Sequence, residues 1–132
     1  MRIKLALLIA LLGVLPMFSQ HRADRVSLTN DKSFSMVVFG DPQGYTKYDI
    51  NQPLFELCTV WISDNIENLN IKAVLFTGDV VEQNENIVRN RNMLNQTSKE
   101  MWEWVSHCFK RLDNKVPYIV AAGNHEYGYV RG

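Results

Sequence analysis

Histidine, cysteine, proline and glycine are all scarce in this chain of 132 residues, at three, two, four and seven. Two cysteines, Cys58 and Cys108, are too few for a disulfide scaffold, and fifty residues apart they make no zinc motif. Both sit among apolar neighbours in helical patterns, which favours buried free thiols over a disulfide. Charge of one sign is also lacking, since fourteen Lys and Arg balance fourteen Asp and Glu. No whole-chain field therefore favours nucleic acid or an anionic membrane, and no nucleic-acid-binding patch is expected. Internal repeats and low-complexity stretches are absent. No Gly-x-Gly-x-x-Gly follows a strand-like run, which argues against a dinucleotide-binding domain. What remains is a chain with 46% hydrophobic and 21% charged residues, the balance of one globular domain or part of one.

The first twenty residues differ from the rest. Arg2 and Lys4 precede an eleven-residue apolar core, LALLIALLGVL at 5–15, followed by Pro16 and a short polar exit at Ser19 and Gln20. A basic start, a short apolar centre and small or polar residues after it are the parts of a secretory signal peptide, expected over 1–20. The core is shorter than the about 20 residues that span a bilayer. The expected location is outside the cytoplasm, periplasmic or extracellular. The alternative is a membrane anchor formed by residues 5–15. Removal of Arg2 and Lys4 leaves twelve basic against fourteen acidic residues, a net charge of −2. Residues 21–32 read as a polar leader, and Asn95-Gln96-Thr97 fits a glycosylation sequon, a short pattern common by chance.

From residue 33 the chain alternates. Ser33 to Gly40 is strand-like, Gly44 to Gln52 a loop. From Pro53 the residues Leu54, Leu57, Cys58, Trp61, Ile62 and Leu69 fall on one helical face, which Asn68 to Asn70 ends. Ile71 to Thr77 is a second strand. A second helix runs from about Asn90 to about Leu112, with Leu94, Met101, Val105, Cys108 and Leu112 inward and Trp102, Trp104 and Phe109 widening that face. Asp113-Asn114 breaks it, and Pro117 to Ala122 is a third strand. The three tryptophans, Trp61 included, read as packing residues. Strand, helix, strand, helix, strand is the order of a parallel sheet with crossover helices. Strands apolar throughout suit a sheet covered on both faces.

Each strand ends alike: Gly40-Asp41-Pro42-Gln43, Gly78-Asp79-Val80-Val81-Glu82, Gly123-Asn124-His125-Glu126. The carboxyl ends of parallel strands share one edge, where open α/β folds bind ligands, and a glycine before each polar group allows a sharp turn and close approach. Asp41 and Asp79 brought together repel unless a cation lies between them, and hard oxygen ligands suit divalent and trivalent ions. Asn124 offers an amide oxygen to a second ion. His125 is a ligand or, better, a proton donor facing substrate. The implied design is two metal ions about 3.5–4 Å apart clamping a transferring phosphoryl group and a hydroxide.

These three motifs resemble the first three of the calcineurin-like metallophosphoesterases: Asp-x-His, Gly-Asp-x-x-Asp and Gly-Asn-His-Asp/Glu. The resemblance covers about residues 34–127, and Gly-Asn-His-Glu is its most specific piece. It implies an α/β chain that is the βαβαβ first half of a four-layer α/β/β/α sandwich, with residues 33–132 as the N-terminal part of that domain. It implies hydrolysis of a phosphomonoester or phosphodiester by a water activated by two metal ions. Asp41 takes the first metal, Asp79 bridges both, Asn124 takes the second, and His125 stabilises or protonates the leaving oxygen. Glu82 is expected to orient neighbouring groups and Glu126 to orient His125.

Gln43 departs from the family's usual histidine. Its neutral oxygen binds zinc-like ions more weakly, so manganese, iron or magnesium is expected over zinc. The family also uses further histidines from a second half, including a late Gly-His-x-His. Besides His125 this chain has only His21, in the leader, and His107, read as a partly exposed helix residue, so a missing C-terminal half is expected. The alternative is a non-catalytic remnant or binding module of the same fold. Tyr45, Tyr127 and Tyr129 flank the motifs, either to contact substrate or to pack.

Overall fold

Each apolar run closed by a glycine or by a polar break becomes a strand in the computed structural model, which describes residues 26–87 and 95–127. Residues 1–20, expected to be a signal peptide, and His21, Leu94 and Tyr129 lie outside the described residues. The strands are β1 (Ser35–Phe39), β2 (Ile71–Phe76) and β3 (Tyr118–Val120), each somewhat shorter than the run that carries it. The helices are α1 (Gln43–Lys47), α2 (Gln52–Asn65) and α3 (Ser98–Phe109), with a 3-10 turn at Asp49–Asn51. The sheet order is β1-β2-β3 and both pairings are parallel. Phe39 lies opposite Phe76, and Phe76 opposite Val120. The three strands therefore end level with one another, and the loops after them leave from one edge.

Local chemistry accounts for the helix boundaries. Pro53 lies in the first turn of α2, where its missing N–H costs nothing. Asn70 and Asn114 both adopt left-handed backbone, with φ of 46° and 59°, as the chain leaves its helices. Asn70 also donates from Nδ2 to the Ser33 carbonyl, 2.8 Å away, and so ties the end of that crossover to the chain entering β1. α3 begins at a reciprocal capping box: Thr97 Oγ1 accepts from the Glu100 N–H while the Glu100 carboxylate accepts from the Thr97 N–H. The helix so capped begins at Ser98, whereas the start expected near Asn90 lies outside the described residues. The loop expected from Gly44 to Gln52 instead holds α1 and the 3-10 turn.

Aromatic rings make the centre of the core. Phe76 of β2 meets Phe109 of α3 at 4.7 Å between ring centroids, Phe55 of α2 at 6.4 Å and Phe39 of β1 at 5.5 Å. Around them Ile62, Val74, Met101, Val105, Cys108 and Leu112 are buried. Burial of this kind, at about 25 cal/mol per Å² of apolar surface, is what holds a parallel sheet to its helices. The buried line of α2 is Phe55, Thr59 and Ile62, not the stripe of Leu54, Leu57 and Trp61, which are 49%, 64% and 44% exposed. Docking of Phe55 between the Phe39 and Phe76 rings sets the helix rotation and turns that stripe outward.

The two crossover helices, α2 and α3, lie on the same face of the sheet. Two right-handed crossovers stepping the same way, from β1 to β2 and on to β3, can place them nowhere else. The other face carries Met36, Val38 and Ile119, which no described residue covers. This differs from the two-sided cover expected from the apolar strands. Among the described residues no helix is long and apolar enough to cross a membrane.

Candidate metal centre

Three loops leave the level strand ends, and the first residues of two of them are unusual in backbone. Asp41 and Asp79 both have positive φ, 27° and 48°, a conformation that costs most side chains energy and that Asp and Asn tolerate best. Gly78, at φ 113°, needs glycine on conformation alone. It also needs it on space, because a Cβ there would sit 2.5 Å from the Gly123 amide nitrogen. A Cβ on Gly123 would overlap the Asp79 carboxylate. These two glycines let the loops after β2 and β3 touch. Gly40 differs, since a Cβ there meets nothing nearer than Thr77 Oγ1 at 3.8 Å.

The contact between loops is polar and reciprocal. The His125 N–H donates to Asp79 Oδ1 at 2.9 Å, which fixes one oxygen of the carboxylate. Glu126 reaches back in the other direction. Its Oε2 accepts from the N–H groups of Asp79 at 2.9 Å and Gly123 at 2.6 Å, and its Oε1 from that of Val81 at 3.1 Å. Glu126 thus holds the loop backbones, and the structure does not give it the expected task of orienting His125. The imidazole is held by Glu82, whose carbonyl oxygen lies 2.5 Å from His125 Nδ1. A carbonyl only accepts, so Nδ1 carries the hydrogen and Nε2 is left to face a reacting group.

Glu82 also meets Lys47, with Nζ 2.7 Å from Oε1. This hydrogen bond holds the Lys47 ammonium above its ordinary pKa, against the opposing effect of burial. Gln43 faces two backbone carbonyl oxygens, so its amide nitrogen must point to them. Nε2 then donates to the Asp41 carbonyl at 2.7 Å and the Asp79 carbonyl at 3.0 Å. Thr77 Oγ1 lies 3.3 Å from Asp41 Oδ1.

The sequence-predicted residues thus fall along one edge, Asp41 and Asn124 exposed and Asp79, Gln43, Glu82, His125 and Glu126 part-buried. Two carboxylates and two carboxamides make an all-oxygen donor set of the kind that suits hard divalent ions. The set is partial: among the described residues no three His, Cys, Asp or Glu side chains gather as a metal cage. His107 is not part of this edge; it stacks on Trp104 with ring centroids 5.2 Å apart and lies 3.8 Å from the Glu56 carboxylate. Tyr127 is largely exposed and Tyr45 partly so. Sequence reasoning missed Thr46, Lys47 and Thr77. The first two recur at helical spacing from Gln43, a signal hidden by the glycine and tyrosine between them.

A family profile described as calcineurin-like phosphoesterase matches residues 34–132. The uncharacterized protein YvnB of Bacillus subtilis (strain 168) is 33% identical over 101 residues, which is 75% of this chain and 7% of that protein. The chain thus spans a small part of that relative's length. No solved structure matches.

Proposed function

This chain belongs to the calcineurin-like phosphoesterase family, and from that premise we propose that it carries the first metal-holding half of a metal-dependent phosphoesterase. Its parallel βαβαβ unit is the first half of that family's fold. The observation that carries the proposal is the interlock of the second and third motifs, in which Asp79 Oδ1 accepts from the His125 N–H while Glu126 accepts from the Asp79 N–H. Turn propensity alone gives no reason for such mutual holding.

In this reading Asp41, Gln43 and Asp79 hold one divalent ion and Asp79 and Asn124 a second, with manganese, iron or magnesium favoured over zinc by the oxygen-only donors. Bound there, the ions supply Lewis acidity that polarises the phosphoryl oxygens and acidifies a water. Asp41 and Asp79 would hold that charge at the strand edge, where a phosphate ester would meet it. His125, with its Nδ1–H committed to the Glu82 carbonyl, presents Nε2 to the leaving oxygen and, in its doubly protonated form, donates the Nε2 proton to it while keeping the one on Nδ1. Glu82 keeps the ring in place, and Lys47 offsets the Glu82 charge. The substrate class is a phosphomonoester or phosphodiester, cleaved without a covalent intermediate.

Hydrolysis of p-nitrophenyl phosphate and bis(p-nitrophenyl) phosphate by the complete phosphoesterase domain with added manganese tests this. Activity is expected to vanish with chelator and to fall at least about a hundredfold in Asp79→Asn and in His125→Ala, the scale of losing a general acid. Variants as active as the parent chain would reject these site assignments. The partial donor set supports a second reading, a binding module of the same fold; manganese binding without turnover of either ester would select it. The basic and apolar segment at 1–20 further supports export, and an N-terminus near residue 20 in the mature protein is the expected finding.

A further inference from the structure

The helix α1 is five residues long and contains a glycine and a threonine, so nothing in its own sequence makes it stable. Its side chains nonetheless grip the loop after β2 at three successive points. Gln43 Nε2 donates to the Asp79 carbonyl and, at its other hydrogen, to the Asp41 carbonyl. Thr46 is fully buried, and its hydroxyl donates to the Val80 carbonyl at 2.8 Å; the Gln43 carbonyl, at 3.1 Å, is the weaker competitor for its one hydrogen. Lys47 meets the Glu82 carboxylate. Positions i, i+3 and i+4 share one helical face, so a single turn engages residues 79, 80 and 82. Buried Gln96 braces the turn from behind, donating from Nε2 to the Thr46 carbonyl at 2.7 Å and from its N–H to the Lys47 carbonyl at 2.9 Å.

We propose that α1 is a positioning clamp, in which Gln43, Thr46 and Lys47 set Asp79 against Asp41 before any ion binds. For Gln43 this is a task separate from ligation, because it uses the amide nitrogen and leaves the oxygen for the metal. Histidine at this position has one ring N–H beyond a ligating nitrogen and cannot tie both carbonyls at once. The metal-binding consequence rests on the phosphoesterase reading; the holding of the loop does not.

The test uses the full chain with Gln43→Ala, Thr46→Val and Thr46→Ser, and Lys47→Met should the buried valine prevent folding. Two quantities are read: hydrogen exchange of the Asp79 and Val81 amides without metal, and manganese affinity by calorimetry. Exchange is expected to quicken at least tenfold in Gln43→Ala and Thr46→Val, and manganese to bind about tenfold more weakly, the lower end for groups that orient ligands. Thr46→Ser, which keeps the hydroxyl, is expected to restore both. Unchanged exchange in every variant overturns the clamp. Faster exchange with unchanged manganese affinity also overturns it, leaving α1 a merely structural turn. A parent chain that binds no manganese overturns the metal reading instead, and the exchange rates then decide whether the loop is clamped.

Discussion

Glu126 shares one negative charge among three backbone N–H groups that belong to two loops. Removing its carboxylate strands all three donors in a part-buried place, and bonds to a charged acceptor are worth about 1.5–3 kcal/mol each. Glu126→Ala is accordingly expected to lose on the order of 3 kcal/mol in urea unfolding, allowing for recovery of some bonds by water. Glu126→Gln, which turns one accepting oxygen into a donor, should fall between. Asp41, Asp79 and Asn124 were legible in the sequence because each is a polar residue directly after a glycine at the end of an apolar run, and Gln43 because it stands two residues beyond the first of them. The role of Glu126 was not legible. A carboxylate next to a histidine reads as its partner, and only the turn of the chain at Gly123-Asn124 aims it at Asp79 instead.

Among the elements, α3 shows how a short polar signal outweighs periodicity. Thr97-x-x-Glu100 marks the helix start, yet apolar Leu94 upstream at helical spacing suggests an earlier one. The capping box predicts that Thr97→Ala loses about 1 kcal/mol, read as a lowered midpoint in thermal unfolding with helix content otherwise kept. α1 was illegible for the opposite reason. Gln-Gly-Tyr-Thr-Lys has weak helix propensity, and the turn exists because Val80, Glu82 and Gln96 hold it. α2 was legible as a helix but not in its rotation, since the apolar count favours the Leu54 stripe while Phe55 finds three aromatic partners.

At the scale of the whole molecule, the βαβαβ order and parallel pairing followed from alternation alone, whereas the one-sided cover of the sheet followed from strand order, which no single run encodes. Folding also decides the fate of the two thiols. Cys108 is fully buried, and burial pushes its thiol up to about 11 from 9.0. The folded chain therefore keeps that proton where the unfolded chain loses it, so stability falls as pH rises from about 9 through 11. At pH 8 a thiol reagent is expected to label part-buried Cys58 first and Cys108 only after denaturant is added. The interlock of Gln43, Asp79, Gly123 and Glu126 has its own consequence for how such a protein changes over generations. Because these positions share hydrogen bonds or van der Waals space, replacing any one of them already forfeits much of what the others supply, and their effects cannot add. A mutational library that varies them one at a time will find only losses. Viable alternatives will be inherited as a block.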